Sequence, residues 1–508
     1  MLSRLAAEPA RPQWVRRRTG AHWLVVATVC VGAFMGQLDV SIITVAFPTL
    51  QRDFHAGGGS VEWVALSYLL VLVCAVTAVG QFADMAGRKL LYTYGFAVFT
   101  LASVACGLAP NLLALDGFRV VQALGAAMLQ ANSVALIATA MPPGKLGRGI
   151  GVQGAAQALG LALGPTVGGL LIALGGWRLI FFVNVPAGVV GALLGWFLLP
   201  RSRHLQRQSP FDWRGLAAFL PAVGGILAAL SLGRDQGFGS PLVLGLAGVG
   251  LVGCVLFVRQ ERRASAPMVD LRLFSRVPFT AGVASGFLSY TVLFGVLFVI
   301  PFLFEAGLGV SPGISGLALT ALPAALGLSA PLAGRLADRI GARPLTVTGM
   351  LLAGLGLVTI AVTHSDIGVV AAELALIGLG LGMFTPPNNA AIMGSAPREQ
   401  SATAGGLLNM TRGLGTAMGV ALSGVVFGWG QAHADGSAGI RDGAAATVVV
   451  LAALAVLAAG LARCAGGPSW PTSRCPARNS ASVVTPSPSG DDQACRTIDP
   501  GASKGRAT

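Results

Sequence analysis

"GQFADMAGRK" fills residues 80–89, and "GRLADRIGAR" fills residues 334–343. Each follows a long apolar run, and each reads Gly, three residues, Asp, two residues, Gly. Asp84 and Asp338 stand 254 residues apart. A duplicated block of this kind raises the question of a duplicated unit. Other landmarks repeat at nearly the same offset. Pro48 in "TVAFP" matches Pro301 in "FVIP" at 253, and Pro142 in "MPPG" matches Pro397 in "SAPR" at 255. Gly160 and Gly164 in "ALGLALG" match Gly415 and Gly419 in "GLGTAMG", also at 255. A single Gly match carries no weight in a chain with 71 glycines. A steady offset through several apolar runs and loops, with Asp and Pro included, indicates two copies in the same order and orientation.

The material being repeated is membrane material. Hydrophobic residues make up 54% of the 508 and charged residues 11%, and mean hydropathy is +0.73. Soluble domains carry about 25% charged residues. The apolar residues fall into fourteen blocks, here called spans 1–14: 22–46, 61–83, 90–109, 112–140, 149–174, 176–199, 215–233, 241–259, 279–304, 313–334, 344–363, 367–393, 401–427 and 444–464. Such blocks suit helices crossing roughly 30 Å of hydrocarbon. Strands of a barrel would alternate apolar with polar residues, and these blocks do not. The predicted fold class is therefore an all-α integral membrane protein. Spans 1–6 map onto spans 9–14, and spans 7 and 8 have no counterpart. An insertion of two spans keeps the second copy the same way up.

Charge orients the spans, because Lys and Arg concentrate in cytoplasmic loops. Alternate loops, from Arg88 and Lys89 to Arg398, hold seventeen basic residues. The other side holds four: Arg52, Arg178, Arg234 and Arg441. Both termini are expected in the cytoplasm, in the inner membrane of a bacterium. The net charge of +14 is thereby accounted for by topology, and no nucleic-acid partner is expected. The expected organisation is a basic N-terminus (1–21), a six-helix bundle (22–199), a linker with two extra spans (200–278), a second bundle (279–464) and a disordered cytoplasmic tail (465–508) rich in Pro, Ser and Gly. The seven cysteines show no metal-ligand spacing, and disulfides are not expected.

Several stretches resemble the major facilitator superfamily, in its fourteen-span drug:proton antiporter branch. "GQFADMAGRK" resembles the loop motif between spans 2 and 3, and "FRVVQALGAAM" the span-4 motif. "GLALGPTVGG" resembles the span-5 motif of antiporters, and "LDVSIITVAFP" the span-1 motif of the fourteen-span branch. "GGWRLIFFVNVPAG" and "FDWRG" fit the same branch. The resemblance covers about residues 20–465. It implies two six-helix bundles in parallel repeat, rocking about a central site. It also implies gating by Gly80, Asp84, Gly87, Arg88, Lys89 and Asp338, and a part for Arg119 in proton coupling. The antiporter motif comprises Gly160, Gly164, Pro165, Gly168 and Gly169.

The residues themselves extend this. Asp39 lies about 16 residues into span 1, roughly 24 Å along a helix rising 1.5 Å per residue. A carboxylate at such depth costs roughly 2.5–3.5 kcal/mol to insert, so it should face a wet cavity or a partner. Desolvation favours the neutral form of a carboxylic acid, which suits reversible protonation. Glu373 stands 254 residues from Arg119 with opposite charge, and is expected to face the same central route. Asp39, Arg119 and Glu373 are the proton-coupling candidates. Arg412, with Asn409 one turn before it, lies midway through span 13 and has Gln157 as its repeat partner. Two partners suit Arg412: Asp39, or an anionic part of a substrate. Asp39, Tyr68, Asn409 and Arg412 are the substrate-binding candidates. Phe34, Phe47, Tyr290, Met383 and Phe384 are further aromatic and Met candidates for an adaptable apolar pocket.

No nucleophile triad, metal cluster or phosphate-binding loop is present, so an enzyme is not expected, nor is ATP as energy source. The expected function is proton-coupled export of lipophilic, cationic drug-like molecules by a monomer, with no cofactor beyond the proton gradient. Proton-coupled uptake of a small metabolite, or a sensor that kept the fold, are the alternatives.

Overall fold

The computed structural model describes residues 11–13, 20–142, 145–201, 212–264, 267–363, 366–396, 401–432 and 436–465. The tail beyond 465 and most of the basic N-terminus lie outside the described residues. Among the described residues everything regular is helical. Fourteen helices are long and apolar enough to cross a membrane: Ala21–Phe54, Gly59–Val76, Arg88–Gly107, Leu112–Ala140, Arg148–Gly175, Leu179–Leu198, Trp213–Gly233, Pro241–Glu261, Val277–Gly307, Pro312–Ala337, Ala342–Thr363, Ile367–Ser395, Ala404–Gln431 and Gly436–Ala465. They keep the numbers spans 1–14.

Local chemistry sets the ends. Asn111 caps span 4 by accepting from the Ala114 amide at 2.8 Å, and the Asp366 carboxylate accepts from Gly368 and Val369 at the start of span 12. Such caps satisfy amides that have no partner inside the helix. The helix holding span 2 continues to Ala86 and stops at Gly87, whose φ is +108°. Span 10 continues to Ile340 and stops at Gly341, with φ of +86°. In both, the glycine amide bonds back to the carbonyl four residues earlier. Only glycine adopts this backbone without strain, so the glycine that closes the repeated block has a local cause in each copy. Spans 5 and 6 are parted by a turn at Gly176, with φ of +84°.

Packing partners are duplicated throughout. Span 1 lies along span 5, span 2 along span 4, span 3 along spans 4 and 6, and span 1 also touches span 6. Every one of these pairs recurs eight spans later: 9 with 13, 10 with 12, 11 with 12 and 14, 9 with 14. Two six-helix lobes result. The lobes touch chiefly through two seams that are themselves a repeat pair, span 5 against span 10 and span 13 against span 2, and also where the ends of spans 1 and 9 meet. The repeated prolines mark irregular helix in both copies. A 3-10 turn over Ile43–Ala46 precedes Pro48, and a π turn over Leu303–Gly307 follows Pro301. Proline removes one backbone donor, which such turns accommodate.

Spans 7 and 8 pair through small residues. A methyl at Gly225 would meet the Gly250 backbone nitrogen at 2.7 Å, and one at Gly253 the Ala222 nitrogen at 2.6 Å. Small faces let helices approach where lipid offers no hydrophobic drive. Span 7 of the pair leans on spans 2 and 13, with the Ser231 hydroxyl donating to the Gly59 carbonyl at 2.8 Å. It thus flanks the 2–13 seam.

Candidate functional site

Asp39 sits near the end of the straight part of span 1, before the 3-10 turn, and is 1% exposed. It does not face open water. Its Oδ2 accepts from Arg119 Nη1 of span 4 at 2.6 Å. Its Oδ1 accepts from Gln122 Nε2 at 2.9 Å and from Asn184 Nδ2 of span 6 at 3.0 Å. Arg119 is equally buried. Its remaining bonds run to the Gln122 Oε1 at 2.7 Å and the Val64 carbonyl of span 2 at 2.9 Å. The Ser103 hydroxyl of span 3 accepts from Gln122 at 2.9 Å. Spans 1, 2, 3, 4 and 6 therefore converge on one ion pair. Such a pair adds little net stability, but leaving one partner charged and unpaired costs roughly 3–5 kcal/mol.

Arg119 also lies over the Tyr68 ring, 4.1 Å from its centroid. Tyr68 has two neighbourhoods. On one side is the guanidinium. On the other is a cavity of about 360 Å³ between the lobes, which Tyr68 helps to line. Its walls come from spans 1, 2, 4 and 5 of the first lobe and spans 9, 10, 12 and 13 of the second. Residues from Gln153, early in span 5, to Asn389, late in span 12, place it toward the membrane face that carries the seventeen basic loop residues, the basic face. A second void of about 10 Å³ connects Arg119 and Tyr68 with Phe294, Thr416 and Val420 of the second lobe. About one water fills such a space. The ion pair thus lies one side chain from the cavity and one water-sized void from the second lobe.

The sequence candidates distribute as follows. Tyr68, Tyr290, Asn409, Arg412 and Gln157 line the cavity. Asp39 does not: its three donors hold it inside the first lobe. Arg412 is not its partner. Arg412 belongs to the second lobe and stands 5.7 Å from the Tyr290 ring centroid. Glu373 departs from expectation in place. It is buried between spans 11 and 12, where Thr363 Oγ1 donates to its Oε1 at 2.6 Å, and it is absent from the cavity walls. The repeat preserved its depth, but its side chain is shorter than that of Arg119 and is held within its own lobe by the hydroxyl. Glu373→Gln should accordingly leave transport within about twofold of the parent, since the amide oxygen still accepts from Thr363; uptake into everted vesicles measures this. Phe47 packs on Phe298 across the lobes, with centroids 5.3 Å apart. Phe47, Phe34, Met383 and Phe384 do not line the cavity. Apolar side chains near mid-membrane read alike whether they face packing or a cavity.

The side chains of Asp84 and Asp338 lie outside the described residues. Gly80, Gly87 and Arg88 lie where the helix of span 2 gives way to span 3, and Lys89, one residue in, is buried. Gly160, Gly164 and Gly168 press span 5 onto span 1. A methyl at Gly164 would overlap the Ser41 hydroxyl, and one at Gly168 would meet Ile42 Cγ1 at 2.8 Å. Gly169 looks the other way, into the second lobe. A methyl there would overlap the Pro312 carbonyl oxygen, and one at Gly316 would overlap the Pro165 carbonyl oxygen. The Thr166 and Thr320 hydroxyls bond across the same seam.

Sequence reasoning passed over Gln122, Asn184 and Ser103, although Gln122 lies within the span-4 motif and Asn184 within "FFVNVPAG". It also passed over Arg52 and Glu305, which pair across the lobes at 3.4 Å on the face opposite the basic one. They stand 253 residues apart, the offset of Pro48 and Pro301, so the bridge joins repeat-equivalent positions.

A family model described as Major Facilitator Superfamily matches residues 29–279 and 282–481. The multidrug resistance protein Stp of Mycobacterium tuberculosis is 34% identical over 405 residues, 79% of this chain and 75% of that one. The riboflavin transporter RibZ of Clostridioides difficile is 33% identical, over 78% of this chain and 87% of its own. The tetracenomycin C resistance and export protein of Streptomyces glaucescens is 31% identical, over 80% and 76%. Among solved structures, a bacterial homologue of the lysosomal transporter Spinster, inward-facing and unoccupied, superposes with a TM-score of 0.65 at 16% identity, covering 89% of this chain and all of that one. A POT family transporter in complex with 5-aminolevulinic acid gives 0.64 at 13%, covering 85% and 94%. The duplicated lobes around a central cavity and these matches agree: the chain is a transporter, not an enzyme, and belongs to the major facilitator superfamily.

Proposed function

We propose that the chain is a proton-driven exporter of drug-like small molecules, working as a monomer in the bacterial inner membrane with both termini in the cytoplasm. Tyr68 carries the reading, since one ring both walls the cargo cavity and covers the Asp39–Arg119 pair. Relatives named for multidrug resistance and for tetracenomycin C export support the direction, and the seventeen-to-four bias of basic loops supports the orientation.

The cycle follows from what the pair can do. With the cavity toward the cytoplasm, cargo enters from the cytoplasmic leaflet or solution and packs against Tyr68. Rocking of the lobes then closes the basic face and parts the seams at the other. The void beside Arg119 widens and admits water, and a proton reaches Asp39. A neutral Asp39 no longer neutralises Arg119, which shifts toward Tyr68 and the cavity. That shift weakens cargo packing on the outward side. Return to the cytoplasmic side releases the proton and re-forms the pair. Arg119 stays charged throughout; the proton moves on and off the carboxyl.

The test is transport in everted vesicles energised by respiration. Cargo addition should collapse part of the interior-acid pH gradient as cargo accumulates inside. Co-movement of cargo and protons in one direction would instead establish uptake, a reading to which the riboflavin transporter relative gives some support. Absence of any cargo-dependent proton flux would remove proton coupling.

A further inference from the structure

We infer that the cargo is a planar aromatic molecule bearing an anionic or strongly electron-rich oxygen group, and that Arg412 is the residue that recognises it. This rests on the reading of the cavity as the cargo site. It departs from the cationic cargo expected from Asp39, because Asp39 is not in the cavity wall.

Among the described residues that line the cavity, Arg412 is the one charged group, and no carboxylate joins it. A cation entering the space would meet a guanidinium and nothing to neutralise itself. An anion would meet a permanent partner in a setting where fields are weakly screened. The guanidinium is also not used up by the protein. Its Nε is buried and has no hydrogen-bond partner, and it makes no ion pair among the described residues. It lies over the Tyr290 ring, 5.7 Å from the centroid. A buried donor without an acceptor is a cost, and the side chain that bears it stands in the cavity wall. The contrast with Arg119, saturated by Asp39, Gln122 and the Val64 carbonyl, is direct.

The rest of the wall suits the same ligand class. Gln37, Gln130, Gln153, Gln157, Asn389 and Asn409 bring neutral amides, which satisfy carbonyl and hydroxyl groups without adding charge. Gln157 is the repeat partner of Arg412 and lines the cavity from the other lobe. Tyr290, partly exposed, offers a ring face for stacking, whereas Tyr68 is 1% exposed and already carries Arg119 over its ring. A volume of about 360 Å³ lies within the range of pockets for drug-sized ligands.

Fluorescein and rhodamine 123 share one fused-ring core and differ in charge, so they isolate the prediction. Fluorescence polarisation on the purified full chain in lipid nanodiscs should show fluorescein binding at least about tenfold tighter than rhodamine 123. Arg412→Gln should weaken fluorescein about tenfold and leave rhodamine 123 unchanged or tighter. Arg412→Lys should recover part of the loss, and Arg412→Glu should invert the preference. Tighter binding of rhodamine 123 by the parent, or fluorescein binding that ignores Arg412→Gln, would overturn the inference. Thermal unfolding of each variant separates recognition from folding. The two readings fail separately. Arg412-dependent binding of fluorescein without proton-linked movement of it would refute export and leave the cargo assignment standing. Proton-linked export of rhodamine 123 in preference to fluorescein would do the reverse.

Discussion

Asp39→Asn should be the most damaging single substitution in the first lobe, and more damaging to stability than Arg119→Gln. The two changes break the same 2.6 Å bond, so a pairwise account would make them equal. They differ in what is left behind. Asp39→Asn strands a guanidinium that cannot shed its proton in a site that is 1% exposed. A lone buried charge of this kind costs roughly 3–5 kcal/mol. Arg119→Gln strands a carboxyl that can take up a proton and become neutral, while Gln122 and Asn184 still bond to it; its cost should be nearer 1–2 kcal/mol, the size of lost hydrogen bonds. The double variant removes both charges and should be more stable than Asp39→Asn alone. Transport should follow a different order. All three variants should lose proton-driven efflux by at least about a hundredfold, because a proton site without a charged partner, or a partner without a site, carries no coupling free energy. Thermal unfolding in detergent and efflux in vesicles measure the two quantities. Equal destabilisation by the two single variants would mean that the site is wetter than its burial indicates. Efflux retained in the double variant would remove the pair from the mechanism.

That asymmetry is invisible in the sequence, and the reason is general for helical membrane proteins. Span number and repeat are legible because length and hydropathy answer to bilayer thickness, and because Pro48 with Pro301 and Gly87 with Gly341 keep local backbone demands at a fixed offset. Asp39 and Arg119 were each legible as intramembrane charges, which need partners. Which charge meets which depends on the rotation of span 1 against span 4, and spacing along one helix does not encode it. Hence Arg412 was open to pairing with Asp39, and Glu373 was carried by symmetry into a cavity it does not reach. The neutral amides offered a signal that charge-based reading passed over. Gln37, Gln130, Gln153 and Gln157 sit in spans 1, 4 and 5, where a lipid-facing amide would lack partners, and all four line the cavity. Arg52 was read as loop charge and Glu305, one residue beyond span 9, was not read at all, so their shared offset went unused.

Gly316→Leu should shift the lobes away from the state with the cavity at the basic face. The two inter-lobe seams show why the effect falls there. Gly169 and Gly424 are repeat partners at an offset of 255, and Glu62 and Gly316 at 254. At one seam Gly316 meets Pro165 and Gly169 backbone to backbone; at the other the Glu62 carboxylate lies over Gly424. At Gly316 the first seam offers backbone and no side chain to give way. A methyl at Gly316 would already overlap the Pro165 carbonyl oxygen, and overpacking of a tight contact costs roughly 1–3 kcal/mol. In the proposed rocking cycle this seam parts in the other state, so nearly all of that cost is differential, and it should move the equilibrium by roughly one to two powers of ten. The folded state survives because the open seam has room. Spin labels at Leu174→Cys and Ile314→Cys, exposed sites at the ends of spans 5 and 10 nearest the far face, read the separation in a background without the native cysteines. The parent should give a short distance and the variant a long one, with efflux lost. Gly151→Leu serves as the control, because a methyl at Gly151 of span 5 meets nothing within 4 Å. An unchanged distance distribution in Gly316→Leu would show that the lobes separate about some other contact than the glycine seam.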